Sequence, residues 1–207
     1  MMELKVRAQH MMDGRGGRRP PFFLTARDWE VLRRVMEGRR FDASIVLGAA
    51  ARCRRGVPTV LTCAPLRGLR PFPTTFWLVC PWLDRRAGMA EAEGGVRRLE
   101  AWLADHALAE HRAYARLHQR IRLALLAPGQ EAWLRRGHRA LFDRLRRGGV
   151  GGIHAAWPEA RVKCLHLQTA SWLALGHHPG AELLDAWGLG GERGGAACPL
   201  ACGGRAR

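Results

Sequence analysis

The sequence predicts an α+β fold: a small, mostly antiparallel three-stranded sheet followed by several packed helices. Three apolar segments of strand length follow one another between residues 43 and 80, separated by glycine and proline. From residue 81 onward, apolar residues recur at helical spacing. With 207 residues, 47% of them hydrophobic, the chain is long enough to build one core. We therefore expect a single domain over residues 22–187.

The N-terminal residues 1–21 are expected to form a flexible basic arm, because glycine, proline and arginine dominate from Asp13 to Pro21. The first helix is predicted to begin at Thr25. Asp28 follows three residues later and completes a variant of the capping box. Gly38 ends the helical spacing of apolar residues.

The three predicted strands are rich in small and β-branched residues, and each is bounded by glycine, proline or arginine–glycine. Their short connections favour a β meander. Pro71 and Pro73 precede the third strand, where no ladder hydrogen bond is needed yet. The strands are expected at Ala43–Cys53, Val57–Cys63 and Thr74–Cys80.

The helical part of the chain is predicted to begin at Pro81, a residue that suits a first helical turn. Gly94 and Gly95 interrupt the first of these helices. Further helices are expected at Leu108–Leu126, Trp133–Leu145 and Arg161–Leu175, the last being a final core helix; residues 148–152 form a flexible loop and residues 188–207 a glycine-rich, disordered tail.

The charge of the chain is strongly positive. Lys and Arg total 34 against 18 Asp and Glu, a formal net charge of +16 at pH 7. This composition excludes an acidic solvating protein, a collagen-like chain and a wholly disordered chain. A positive field of this size predicts weak, non-specific nucleic-acid binding at low salt. The bias toward arginine and glycine is also typical of a codon composition that favours these residues, so the positive charge by itself does not indicate an anionic partner.

The sequence predicts a cytoplasmic protein. No segment approaches the roughly 20 consecutive apolar residues of a membrane-spanning helix. Residues 1–19 are polar and basic and lack the apolar region of a secretory signal. In a reducing compartment, six cysteines indicate free thiols, metal binding or redox chemistry rather than structural disulfides.

The cysteines fall into two groups by their surroundings. Cys63 lies inside an apolar strand and is expected to act as a small hydrophobic residue. Cys198 and Cys202 lie in the tail with three residues between them, which is little evidence for zinc without a second pair of ligands. The other three, at the ends of predicted elements and beside polar or basic residues, are Cys53, Cys80 and Cys164.

Cys164 is predicted to lie at a helix N-terminus beside Lys163, where the helix dipole and the positive charge favour a thiolate. His166 is two positions further on, so within one helix it would face another direction and would not pair with the thiol. The two side chains converge on a metal if Cys164 precedes the helix. Otherwise Cys164 is a core residue and His166 an interior, hydrogen-bonded histidine.

The remaining histidines and several glutamates are assigned to helix surfaces. They share their helices with many charged residues, and no third ligand accompanies them at a known spacing. We therefore expect solvated side chains at His106, His111, His118, His138, Glu91, Glu93 and Glu100.

Several short segments together resemble the bacterial family catalogued as domain of unknown function 501. The resemblance runs from about Val46 to Pro179. It rests on Ala49-Ala-Ala-Arg-Cys53, Gly56-Val-Pro58, Pro71-Phe-Pro-Thr-Thr-Phe-Trp-Leu78, Cys80-Pro81 and Arg161-Val-Lys-Cys-Leu-His166, in the family's order. The family has no described reaction, so the resemblance implies none.

The resemblance implies cysteine at positions 53, 80 and 164 and histidine at position 166, and it leaves Cys63 and the tail cysteines outside the pattern. Where the family tends to place further histidines in the last helix, this chain has Gln168 and Ser171. A site that needs those histidines is therefore not expected here.

Three thiols and one imidazole make the ligand set of a Cys3His site, which would hold zinc or an iron–sulfur cluster. We expect the strands that end at Cys53 and Cys80 to be neighbours, with the helix that begins at Cys164 packed over their ends. Such a site would be surrounded by positive charge that lowers thiol pKa values and favours an anionic ligand or substrate. The basic residues are Arg52, Arg161 and Lys163.

Three other functions remain open at this point. The chain would be a nucleic-acid or ribonucleoprotein accessory protein if one helix face held most of the arginines between Arg97 and Arg147. It would be a metal-free thiol enzyme if Cys164 were a nucleophile. It would be a scaffold if its cysteines only packed. The sequence names neither a substrate nor a reaction.

Overall fold

The computed structural model describes residues 22–39, 41–147, 161–190 and 202, and within them it confirms the α+β class. The N-terminal arm, the loop 148–152 and Cys198 lie outside the described residues. The elements are α1 (Ala26–Val35), a short 3-10 helix (Ala43–Ile45), β1 (Val46–Arg52), β2 (Pro58–Cys63), β3 (Leu66–Arg67), β4 (Arg70–Pro71), β5 (Phe76–Leu78), α2 (Pro81–Ala92), α3 (Gly95–His106), α4 (Leu108–Ala124), α5 (Gln130–Gly137), α6 (Arg139–Arg147), α7 (Leu165–Leu175) and α8 (Ala181–Ala186).

The capping box at the start of α1 is confirmed. The Asp28 amide donates to Thr25 Oγ1 at 3.2 Å, and the Thr25 amide donates to Asp28 Oδ2 at 2.8 Å. Asp28 also accepts hydrogen bonds from both terminal nitrogens of Arg52, at 2.8 and 2.9 Å. This carboxylate therefore fixes the beginning of α1 against the end of β1.

The predicted meander is confirmed as an antiparallel sheet with strand order β1-β2-β5. Its third strand is shorter than expected and begins at Phe76. A two-stranded ribbon, β3 and β4, lies in the connection and was not predicted, because two-residue strands leave no periodic signal. Since β2 lies between them, β1 and β5 are not neighbours, and the expected pairing of the strands ending at Cys53 and Cys80 is wrong.

The two faces of the sheet support different parts of the core. Leu61 of β2 packs with α1, and its neighbour Val60 packs on the opposite face with Ala170 of α7. Successive side chains of a strand point to opposite faces. Every residue of β2 is buried, so this strand is covered on both faces of the sheet. The α7 helix therefore lies directly against the sheet.

The helix boundaries follow the predicted breaks with two exceptions. The predicted helix over residues 133–145 is divided into α5 and α6 at His138, whose φ is -137° and ψ 47°. The helix predicted from residue 161 begins only at Leu165, and it is not the last one, because α8 follows. Leu189, which we assigned to the tail, is fully buried. Among the described residues, no helix is both long and apolar enough to cross a membrane.

Gly95 brings three helices close together at one point. A Cβ built on it would lie 2.5 Å from the carbonyl oxygen of Ala90 and 2.9 Å from Leu165 Cδ1. Any larger residue would therefore separate the end of α2 and the start of α3 from the start of α7. This junction is where the candidate site lies.

Candidate functional site

The candidate site lies where α7 begins against the far end of α2. Cys164 is the N-cap of α7, with extended backbone angles of -163° and 155°. Its Sγ accepts the amide hydrogen of Leu167 at 3.4 Å. Cys164 therefore precedes the helix, which is the condition under which its thiol and His166 converge.

The imidazole of His166 contacts acceptors through both ring nitrogens. Its Nδ1 lies 2.9 Å from Glu91 Oε1, and its Nε2 lies 3.1 Å from the carbonyl oxygen of Asp84. The Asp84 carboxylate is 3.5 Å from the same Nε2. The Sγ of Cys164 lies within 4.8 Å of the ligand atoms of both His166 and Glu91. Cys164 and His166 form one polar group, contrary to the expectation for two residues inside a helix.

Glu91 is a partner of this group and not the solvated surface charge that we expected. Its Oε1 accepts the amide hydrogen of Leu165 at 2.6 Å and that of His166 at 3.4 Å. These amides begin α7, so the carboxylate balances the positive end of the helix. Glu100 likewise accepts the amide of Val162 at 2.8 Å. Of the three glutamates, only Glu93 is exposed as predicted.

The surroundings of His166 favour its protonated form. The hydrogen bond with Cys164 raises the pKa of His166, and the bond to Glu91 and the charges of Glu91 and Asp84 raise it further, against the opposing effect of burial. The resulting pKa is about 9. A neutral imidazole has one N–H, so two acceptors at its nitrogens require a second proton or a cation at one of them.

The donor atoms of Glu91, Cys164 and His166 all lie within 4.8 Å of one another. All three residues are partly buried. A tetrahedral zinc ion places its ligand atoms about 3.3–3.8 Å apart, so small side-chain adjustments would bring these three donors to metal distance. Carboxylate, thiolate and imidazole are all ligands that zinc accepts.

The other two cysteines of the predicted Cys3His set lie outside this group. Cys80 is the N-cap of α2, whereas Glu91 is near its other end, about 16 Å further along the helix axis. Cys53 follows β1, where its amide donates to the Val57 carbonyl. Cys53 and Cys80 follow the two outer strands and flank the start of β2, the central strand, at one end of the sheet. The structure thus combines two of the four predicted residues with Glu91.

The predicted basic residues are also divided. Arg52 forms an ion pair with Asp28 at 2.8 Å, at the end of β1. Arg161 and Lys163 are exposed and lie just before Cys164. A further arginine that the sequence analysis missed, Arg39, forms a bidentate ion pair with Asp84, the residue whose carbonyl meets His166.

A second polar cluster is buried along α4, and it corrects the expected solvation of two histidines. His111 is 3% exposed and His118 is 2% exposed. The ring of Tyr114 lies 4.8 Å from that of His118 and 5.0 Å from that of His178, which is also buried. Their spacing along the helix is the signal in the sequence that they share a buried face.

Comparison with known proteins gives a family without a reaction. A family model described as a protein of unknown function (DUF501) matches residues 49–186. No curated protein and no solved structure matches the chain. The matched region includes most of the sheet, the candidate site and the buried cluster along α4.

Proposed function

The chain belongs to the DUF501 family, and we propose that it is a metal-binding protein whose Glu91, Cys164 and His166 hold a divalent transition-metal ion, zinc in the first place. The observation that carries the proposal is the convergence of three different zinc-binding side chains from two helices within 4.8 Å. The proposal keeps two of the residues expected from the sequence, and Glu91 takes the place of Cys53 and Cys80.

The hydrogen bonds of His166 support a metal at its Nδ1. Metal-binding histidines usually donate their other N–H to a carbonyl or carboxylate, which fixes the tautomer. Here Nε2 faces the carbonyl oxygen of Asp84 at 3.1 Å, so Nε2–H donates and the lone pair of Nδ1 is directed at Glu91. The ion would occupy the place of the second proton, which the raised pKa of His166 keeps on the ring in the metal-free protein.

The donor set favours zinc over an iron–sulfur cluster. Clusters are held mainly by several cysteine thiolates, and this group contains one. Zinc sites with three protein ligands keep a fourth position for water or substrate, in contrast to closed structural sites. An ion held in this way polarises a bound water or an oxygen of a substrate. Arg161 and Lys163, exposed beside Cys164, would attract an anionic ligand to that position.

A thiolate ligand requires a compartment that keeps thiols reduced, and the proposal therefore places the protein in the cytoplasm. This agrees with the free thiols of Cys53, Cys63 and Cys164 in the described part of the chain.

A second candidate function is a metal-free thiol enzyme, and a specific observation favours it. The Cys164 thiol lies within 4.8 Å of His166, whose Nδ1 is 2.9 Å from Glu91 Oε1. This is the order of a nucleophile, a base and a residue that orients the base. The same three residues thus serve either proposal, and metal content separates them.

The test is the zinc content of protein purified without chelators, measured by elemental analysis, together with zinc affinity from competition with a chromophoric chelator. We expect about one zinc per chain in the wild type. Cys164→Ser, His166→Gln and Glu91→Gln should each weaken zinc binding at least tenfold. Cobalt substitution should give a sulfur-to-cobalt charge-transfer band that Cys164→Ser removes.

The matched controls are Glu93→Gln on the same helix as Glu91, and Cys53→Ser and Cys80→Ser for the thiol. Glu93 is exposed, and neither cysteine belongs to the group, so all three variants should bind zinc like the wild type. Loss of zinc in Cys53→Ser or Cys80→Ser would instead support the Cys3His site that the sequence predicts. Metal-free wild-type protein with a rapidly alkylated Cys164 would establish the thiol enzyme.

A further inference from the structure

One face of α4 carries four polar residues into the core. His111, Tyr114, His118 and Arg122 are spaced by three and four residues, so they follow one stripe along the helix. Each is at most 3% exposed. Burying polar groups costs free energy unless they form hydrogen bonds or ion pairs, so the partners of these four residues decide the cost of this face.

Arg122 is the charged member of the stripe, and only 3% of its surface is exposed. Within the described part of the chain, its Nη1 has no hydrogen-bond partner and no carboxylate forms an ion pair with it. Burial lowers the pKa of Arg122 to about 10, which leaves the guanidinium charged at neutral pH. An uncompensated buried charge costs several kcal/mol, so a counter-charge at this position would be strongly stabilising.

Two further unpartnered polar atoms lie where α4 packs against the sheet, one on the helix and one on β2. His118 is one turn before Arg122, and its Nε2 is buried without a partner. The ring of His118 meets the ring of Phe76 edge-on at 5.6 Å. Thr62 is paired with Phe76 in the sheet and so faces the same side, and its hydroxyl is also buried without a partner.

We propose that Arg122, His118 and Thr62 form a buried binding site for a small oxyanion, between α4 and the sheet. All three groups can donate a hydrogen bond: the guanidinium always, the hydroxyl by rotation, and the imidazole in its Nε2–H tautomer. Donors around one positive charge match the several acceptor oxygens of a phosphate or carboxylate group. This site is separate from the Glu91–Cys164–His166 group and does not depend on a metal there.

The experiment measures thermal unfolding of the full chain, treated with chelator so that no metal binds phosphate at Glu91. Sodium phosphate, sodium acetate and sodium chloride are compared at equal ionic strength and pH. We expect a saturable rise of Tm with phosphate or acetate but not with chloride, because a ligand that binds only the folded state stabilises it. The difference between phosphate and acetate identifies which oxyanion the site prefers.

Arg122→Met is the decisive variant, and Arg120→Met, an exposed arginine on the same helix, is its matched control. Arg122→Met should lose the oxyanion response, with at least tenfold weaker binding, and should be no less stable than the wild type in chloride, since an unpaired buried charge is removed. Arg120→Met should keep the wild-type response. Arg122→Lys keeps the charge and should bind more weakly but measurably.

Equilibrium dialysis with labelled phosphate is an independent test of binding to the wild type, and we expect about one phosphate per chain. Equal responses to phosphate, acetate and chloride in the wild type would overturn the proposal, as would an unchanged response in Arg122→Met. Phosphate bound at several sites per chain with the same loss in Arg120→Met would identify non-specific attraction by the net charge and would also overturn it.

Discussion

Glu91 and His166 are 75 residues apart in the sequence, yet Oε1 of one lies 2.9 Å from Nδ1 of the other. The same oxygen accepts the first amide of α7. One carboxylate near the end of α2 therefore caps α7 and orients the imidazole. Stability and ligand binding are coupled at this residue, so its variants must be judged by both.

Removing the Glu91 carboxylate should destabilise the fold. In Glu91→Ala the amide of Leu165, a fully buried residue, loses its acceptor, and His166 loses its charged partner. We expect a loss of about 2–3 kcal/mol in the free energy of unfolding, measured by urea denaturation of the metal-free protein. Glu93→Ala, two residues further on and exposed, should change it by less than about 0.5 kcal/mol. Equal effects in the two variants would show that Glu91 does not cap α7.

Thiol labelling should distinguish the cysteines of the native protein. Cys63 is fully buried, and burial raises the pKa of its thiol to about 12, so it should stay unmodified by iodoacetamide at pH 7.5. Cys164 is only partly buried and should react in the chelator-treated protein but be protected when zinc is bound.

Peptide mapping by mass spectrometry measures each site, and Cys53, at the edge of the sheet, is the internal control whose labelling zinc should not change. Protection of Cys53 together with Cys164 would indicate a shared metal. Labelling of Cys164 at the same rate with and without zinc would contradict a thiolate ligand.

The junction of α2, α3 and α7 should not tolerate a methyl group. In Gly95→Ala the new Cβ would meet the Ala90 carbonyl at 2.5 Å and Leu165 at 2.9 Å, so the start of α7 must move. We expect a loss of about 2 kcal/mol or more in the free energy of unfolding and weaker zinc binding. Gly88→Ala is the control on α2, with no atom within 4 Å of its Cβ, and should stabilise by about 0.5–1 kcal/mol. A stable Gly95→Ala protein with normal zinc affinity would show that this contact does not position the site.

The sequence predicts those parts of the fold that depend on local chemistry. The capping box of Thr25 and Asp28, the proline that begins α2 and the glycine break before α3 are all confirmed, because each depends on residues within one turn. The break at His138 and the two-residue strands β3 and β4 were missed, since neither interrupts a periodic pattern strongly enough to be seen.

The candidate site was only partly predictable because its third member comes from a distant helix. Cys164 and His166 are close in sequence and were identified together, whereas nothing near Glu91 distinguishes it from Glu93. The choice between them depends on how α2 packs against α7, which is a tertiary contact. For His111 and His118 a signal did exist: their seven-residue spacing places them on one face, but the charged neighbours suggested solvent.

The buried histidines should make the fold sensitive to mild acid. In His178, Nε2–H donates to Gln168 Oε1 at 2.7 Å while Nδ1 accepts the amide of Gly180 at 2.9 Å, so the neutral ring is fully bonded and a second proton would break the bond to Gly180. Burial, with the nearby histidines, lowers the pKa of His178 to about 3, and burial and the charge of Arg122 do the same for His118.

A pKa that is lower in the folded state than the unfolded value near 6.5 means that the unfolded chain binds the extra proton. The stabilisation is therefore complete above pH 6.5 and is lost as the pH falls toward 3, by up to about 1.4 kcal/mol per pH unit for each histidine. The interval from pH 6.5 to 5 is the informative one, because aspartate and glutamate titrate mostly below it. Urea denaturation at half-unit steps should show this slope in the wild type.

Replacing one of these histidines should reduce that slope whatever it does to the stability itself, and His111, whose pKa burial also lowers, contributes to the slope that is left. The slope and not the midpoint is therefore the measurement. We expect this for His178→Asn, and no change of slope for His106→Asn, since His106 is exposed. A slope that is unchanged in His178→Asn would mean that this ring can be protonated without breaking its bonds. The acid sensitivity would then have to come from His118, whose protonation places a second positive charge beside Arg122.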